Sequence, residues 1–180
     1  IQDIDLGTGK KISVCNTYRS TKNFDENVAK SAIDELVEQG AEVIVACKSF
    51  GVDDSTEEST IKQVAEKMDI PVSLAADITK MYGLTIRART AVVNASILRK
   101  MLDTAGRTQE SVKKSGIDAP LMMMRGDGGV MEIEEMKRKP ILTMLSGPAA
   151  SVMGALMYLR ASNGIYFEVG GTSTNIGVIK

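Results

Sequence analysis

Histidine is missing from the 180-residue sequence, and so is tryptophan. The first absence removes whole classes of chemistry: Ser-His-Asp and Cys-His catalysis, histidine-ligated zinc and the HExxH metalloprotease. Catalysis must then run on carboxylates, hydroxyls, Lys or Arg, or on a bound nucleotide and its metal. Phosphoryl transfer asks least of side-chain acid–base groups, because positioning and charge neutralisation do most of it. Cysteine is nearly absent as well. Cys15 and Cys47 form no CxxC and follow no signal peptide, which reads as two reduced, packed thiols in a cytoplasmic protein. No excess of either charge exists, with 22 basic residues against 23 acidic. No field therefore draws in nucleic acid or an acidic membrane, and neither is expected as a partner. Aromatic residues are scarce (4%) beside eleven methionines, which predicts an adaptable aliphatic core. Repeats, low-complexity tracts and long linkers are also missing; Gly51 to Ser55 and Ala161 to Gly164 are the expected flexible joints.

What is present alternates between strand and helix signals. Lys11 to Tyr18 reads as a strand entered through the turn Gly7-Thr-Gly9; the Gly-Thr-Gly-Lys at 7 to 10 does not satisfy the GxxxxGK[ST] pattern of a P-loop. Asp25 to Gln39 has helical spacing and is closed by Gly40. Glu42 to Cys47 and Pro71 to Ala76 read as short buried strands. Between them, Ser55-Thr-Glu-Glu58 has the capping-box pattern of a helix start. The preceding Asp53 and Asp54 read as metal ligands or, more simply, as a solvated loop. Thr90 to about Lys114 predicts one long helix or two, with Val93, Ile97, Met101, Leu102 and Ala105 on one face and Gly106 a possible break. Arg87 just before it is a candidate phosphate or carboxylate binder, against the alternative of an exposed cation near a helix start.

Leu121 to Met124 predicts a strand running into Arg125-Gly-Asp-Gly-Gly129. That turn is either a plain strand end or a ligand-lining loop, which makes Asp127, Gly128 and Gly129 candidate substrate contacts. Glu132 to Lys139 reads as a short charged helix. Pro140 to Leu159 then carries no charge for twenty residues, long enough for a membrane span. Ser146-Gly147-Pro148 interrupts it, so it reads as a strand over Ile141 to Leu145 and a helix opened by Pro148. The alternation predicts an α/β fold with a largely parallel sheet.

The final stretch breaks that alternation and reads as strand, turn, strand. Ile165, Phe167 and Val169 alternate with Tyr166 and Glu168, Gly170-Gly171 permit the turn, and Ile176-Gly-Val178-Ile resumes an apolar run. Thr172, Ser173 and Thr174 place three hydroxyls beside converging backbone N–H groups. Such a turn is either a two-glycine hairpin with solvent-facing threonines or an anion-binding concavity. Glu168, just before it, has the chemistry to hold a metal through water or act as a base.

Four motifs resemble those of the hydantoinase A/5-oxoprolinase family. They are Thr90-Ala-Val-Val-Asn-Ala95, Arg125-Gly-Asp-Gly-Gly-Val-Met131, Lys139-Pro-Ile-Leu-Thr-Met-Leu-Ser-Gly-Pro-Ala-Ala150 and Phe167-Glu-Val-Gly-Gly-Thr-Ser-Thr-Asn175. They stand in the family's order over roughly residues 85 to 180; the first eighty residues match in pattern alone. The resemblance implies an actin-like ATPase lobe of ribonuclease H-like type up to about Asn163, then a phosphate-binding hairpin over 164 to 180 that opens a second lobe. With Ile1 in first place and chains several times longer in the family, the sequence reads as an internal fragment.

The resemblance further implies ATP and Mg²⁺ as cofactors. Gly170, Gly171, Thr172, Ser173 and Thr174 would clamp phosphates, and Glu168 would hold Mg²⁺ through water. The family's paired aspartates are here Glu168 and Asn175, which take the catalytic positions. Glu keeps the charge and reaches one methylene further; Asn cannot ionise. The implied reaction is opening of a five-membered lactam or hydantoin ring through phosphorylation by ATP, with a small cyclic amide as substrate. A second subunit of hydantoinase B type is an implied partner. The alternatives are an ATP-dependent carboxylase subunit and a nucleotide-driven activator or switch.

Overall fold

The computed structural model describes residues 1–7, 9–160 and 163–179, so Thr8 of the first turn and Ala161–Ser162 of the expected joint lie outside the described residues. The chain forms two compact units, Ile1–Thr104 and Ala105–Lys180.

In the first unit, β1 (Ile4–Asp5) and β2 (Lys11–Ile12) form a short antiparallel hairpin. The strand expected to run on to Tyr18 stops at Ile12. Beyond it, side chains take over from the ladder: Asp3 accepts from Val14 N–H and Asn16 donates to the Ile1 carbonyl. Helix α1 (Glu26–Glu38) begins where Asp25 Oδ1 accepts from Val28 N–H at 2.8 Å. It ends where Gly40, at φ +92°, lets Ala41 N–H return to the Leu36 carbonyl. Strand β3 (Ile44–Ala46), helix α2 (Thr56–Lys67) and strand β4 (Val72–Leu74) make a βαβ unit, with Ile44 opposite Val72 and Ala46 opposite Leu74 in a parallel pair. Ala29, Ile33, Ile44, Val64 and Ala65 form its core.

A short α3 (Ala75–Ile78) leads to α4 (Leu84–Lys114), which is unbroken at Gly106. It starts six residues before the sequence pattern places it, and its buried stripe in the first unit is Arg87, Ala88, Ala91, Val92, Asn94, Ala95 and Leu98. The expected Val93 and Ile97 are only partly buried. Helical spacing fits two adjacent stripes equally well, and the one with more alanine allows the close approach seen here, where Ser73 Oγ on β4 donates to the Ala91 carbonyl.

In the second unit, β5 (Met122–Met124) and β6 (Val130–Glu132) form a hairpin, followed by α5 (Ile133–Arg138). The strand expected over Ile141 to Leu145 is instead a 3₁₀ turn, Pro140–Thr143. Pro140 presets the helical φ, and Thr143 Oγ1 donates back to the Pro140 carbonyl at 2.7 Å. Helix α6 (Ser146–Leu159) opens after Leu145 at φ +60°, so Pro148 is its third residue rather than its first. Strands β7 (Gly164–Val169) and β8 (Thr174–Ile179) pair antiparallel.

The α/β class holds. The largely parallel sheet does not: the described strands make four two-stranded sheets, and only β3–β4 is parallel. Only that pair has a crossover helix between consecutive strands; the other three pairs are joined by turns too short for anything but antiparallel hairpins.

Candidate functional site

The β7–β8 hairpin brings its singled-out residues together. Glu168 and Asn175 are direct cross-strand partners, and Asn175 Nδ2 donates to Glu168 Oε2 at 3.1 Å. Above them Gly170 N–H donates to the Ser173 carbonyl at 2.9 Å, closing the turn over 170 to 173. A Cβ built at Gly171 meets nothing within 4 Å, so its backbone is open to a ligand. Thr172, Ser173 and Thr174 are exposed. The turn thus offers hydroxyls and an open glycine backbone beside a carboxylate, which fits a phosphate. Mg²⁺ fits only with further ligands from the phosphate and water, since among the described residues no group of three acidic, Cys or His side chains converges.

The hairpin is half-buried, as the alternation predicts. Ile165, Phe167, Val169, Ile176 and Val178 are exposed, while Tyr166, Glu168, Asn175 and Gly177 line the half-buried face. The Tyr166 ring lies over Gly177, where any Cβ would collide with it.

The Arg125–Gly129 turn is held by its own side chains. Asp127 Oδ1 accepts from Gly129 N–H at 3.0 Å, and Arg125 pairs with Asp127. These bonds, the backbone one first, keep the Asp127 carboxyl below the ordinary carboxylate range. Gly126 N–H bonds the Leu142 carbonyl, and a Cβ there would run into the Met144 carbonyl oxygen. Gly128, at φ +86°, faces Met153 on α6.

Arg87 is not the exposed cation of the simpler reading. It is 1% exposed and donates from Nη2 to the Lys48 carbonyl; its Nε and Nη1 are buried without a partner. Beside it sits Glu58, also 1% exposed, accepting from Lys48 N–H and Ala76 N–H at 2.9 Å each. The capping box expected at Ser55 is not made. Ser55 gives no side-chain cap, Asp54 Oδ1 takes Thr56 N–H instead, and Glu58 turns inward to tie the carboxyl ends of β3 and β4. Burial raises the Glu58 carboxyl above its ordinary value. Sequence reasoning passed over Glu58 because the capping pattern supplied it with a complete role. Asp53 and Asp54 serve the same turn: Asp53 accepts from the Tyr82 hydroxyl and Asp54 pairs with Lys48. Cys15, expected packed, is exposed; Cys47 is half-buried, and burial lifts its thiol to about 11.

The profile of the hydantoinase/oxoprolinase family matches residues 87–180, more than half of the chain. The chain belongs to the hydantoinase/oxoprolinase family. The gamma subunit of acetophenone carboxylase from Aromatoleum aromaticum is 23% identical over 188 residues, covering 99% of this chain and 25% of that subunit. The nucleotide-free structure of acetone carboxylase, an enzyme of ATP-dependent acetone carboxylation, superposes with a TM-score of 0.70 at 25% identity, over 86% of this chain and 23% of its own. The ATP-dependent caprolactamase of Pseudomonas jessenii shares the fold at a TM-score of 0.69 and 21% identity, over 98% of this chain and 25% of its own. The chain thus spans about a quarter of the length of the family members it matches. Among the described residues, no helix is long and apolar enough to cross a membrane.

Proposed function

We propose that this chain is part of an ATP-dependent enzyme of the hydantoinase/oxoprolinase family, in which the β7–β8 hairpin holds the nucleotide's phosphates. The observation that carries the reading is the Glu168–Asn175 pair, 3.1 Å apart under an open Gly170–Ser173 turn within the family-matched residues. Gly171, Thr172, Ser173 and Thr174 would donate to phosphate oxygens and Glu168 would hold the metal through water, while the Gly170 N–H, expected to join them, is spent on the Ser173 carbonyl. Asn175 fixes the Glu168 carboxylate and takes no proton itself. Bound ATP would supply a phosphoryl group to an amide or carbonyl oxygen, which makes the adjacent carbon a better target for attack. In the ring-opening reading that substrate is a lactam or hydantoin.

This assigns the chain to an actin-like lobe that ends near Asn163 and to the first hairpin of a second one. The names of two matched proteins, both carboxylases, favour a second reading, an ATP-dependent carboxylase subunit with partner subunits. Stimulated ATP hydrolysis by the full-length protein separates the two. Stimulation by hydantoin or 5-oxoproline supports ring opening. Stimulation by a ketone with bicarbonate supports the carboxylase, and indifference to both would overturn the enzyme reading.

A further inference from the structure

The first unit contains a buried cation that the hairpin reading does not use. Arg87 is closed in by the turn after β3. A Cβ at Gly51 would stand 3.2 Å from Arg87 Nη1 and 2.5 Å from Glu58 Oε1, so only a glycine backbone lets the turn lie over the pair. The guanidinium spends one nitrogen on the Lys48 carbonyl and leaves Nε and Nη1 unpartnered. Unpaired donors on a buried charged group carry a high desolvation cost, so they mark a place where an acceptor is favoured. A cavity of about 680 Å³ adjoins this point. Its walls include Lys48 and Glu58, which neighbour the guanidinium, and Leu84 and Ala88 on Arg87's own helix; Arg87 itself stands behind this lining. The site lies at the carboxyl ends of the parallel strands β3 and β4, where ligands gather in α/β units.

We propose that Arg87 and this cavity form a binding site for a small organic monocarboxylate. The carboxylate takes the open donors of Arg87, and its apolar remainder lies along Leu84, Ala88 and Val92. Asp54 and Glu57 are paired with Lys48, and Glu58 is spent on two backbone N–H groups, which leaves the guanidinium's open donors without an anionic partner; against these carboxylates a phosphate dianion meets more repulsion than a monoanion does. Reaching Nη1 requires the Phe50–Gly51 peptide to shift. Phe50, exposed and at φ +56°, sits on the outside of that turn. The inference is independent of the nucleotide reading.

The test is a protein NMR titration with benzoate, its neutral isostere benzamide and inorganic phosphate. The expected result is saturable movement of the Arg87 Nε–H signal and of the Lys48, Gly51 and Ala76 amides with benzoate. Benzamide should bind at least about tenfold more weakly, the loss of one hydrogen bond to a charged group, and phosphate should leave these signals unmoved. An Arg87→Gln variant should lose the benzoate shifts. If that variant does not fold, the wild-type Nε–H signal decides. The proposal is overturned if benzoate gives no saturable shift at Arg87, if benzamide or phosphate matches it, or if a folded Arg87→Gln protein still binds.

Discussion

Glu58 and Glu168 stand near the ends of strands in different units, and the fold treats them in opposite ways. Glu58 is sealed in and accepts two backbone N–H groups that belong to different strand ends. Glu168 is half-buried and accepts one side-chain amide across a hairpin. The first carboxylate is spent on architecture: it holds the ends of β3 and β4 in register. The second is fixed in direction beside an open glycine turn. A buried acid with every oxygen engaged is a structural device, and a directed acid at a solvent edge is a chemical one.

The widest gap between the two should come from truncation. Glu58→Ala leaves the part-buried Lys48 N–H and the buried Ala76 N–H without their acceptor and should cost about 2–5 kcal/mol, at ~1–3 kcal/mol for each unsatisfied group, read by chemical denaturation. A loss under ~1 kcal/mol would show that the hub is dispensable. In the hairpin, Gly177→Ala forces Tyr166 off its cross-strand seat and should cost about 1–3 kcal/mol; hydrogen exchange on β7 and β8 would report it, and unchanged protection would contradict the packing.

A smaller effect is the pH dependence that Glu58 confers. Burial raises the folded-state value of Glu58 above its ordinary 4.5, so the fold binds this proton more tightly than the unfolded chain does. Its contribution is fully present below the ordinary value and is lost as pH rises from there through the raised folded value. Denaturation of wild type against Glu58→Gln should show that slope only in wild type; parallel curves would refute it. Smallest of all, Glu168→Ala should cost no more than about 1 kcal/mol, the net worth of one half-exposed cross-strand hydrogen bond. A larger loss in thermal unfolding would make Glu168 architectural too.

The sequence patterns located much of this, and the misses have physical causes. Helix α1 was readable because Asp25 and Gly40 are chemical stop signals at its two ends. The terminal hairpin was readable because alternation and a diglycine turn coincide. Ile141 to Leu145 reads as a strand because apolar composition outweighs the preceding Pro140, whose φ starts a 3₁₀ turn. Glu58 is hidden for a different reason. The capping pattern gives it a sufficient local explanation, and only the tertiary fold brings it beside Arg87, already a candidate anion binder in the sequence, under Gly51. The proposed phosphate contacts rest on the diglycine turn with its hydroxyls and on the family resemblance together; the structure shows that Glu168 and Asn175 pair across the strands next to the Gly170–Ser173 turn.

The central claim is that the β7–β8 hairpin serves ATP. Calorimetric titration of Mg·ATP into the full-length protein, wild type and Glu168→Ala, tests it most directly, since the substitution should leave the fold intact. The account predicts saturable binding to wild type that weakens clearly in the variant. Equal affinity in both proteins, or no binding to either, would contradict it.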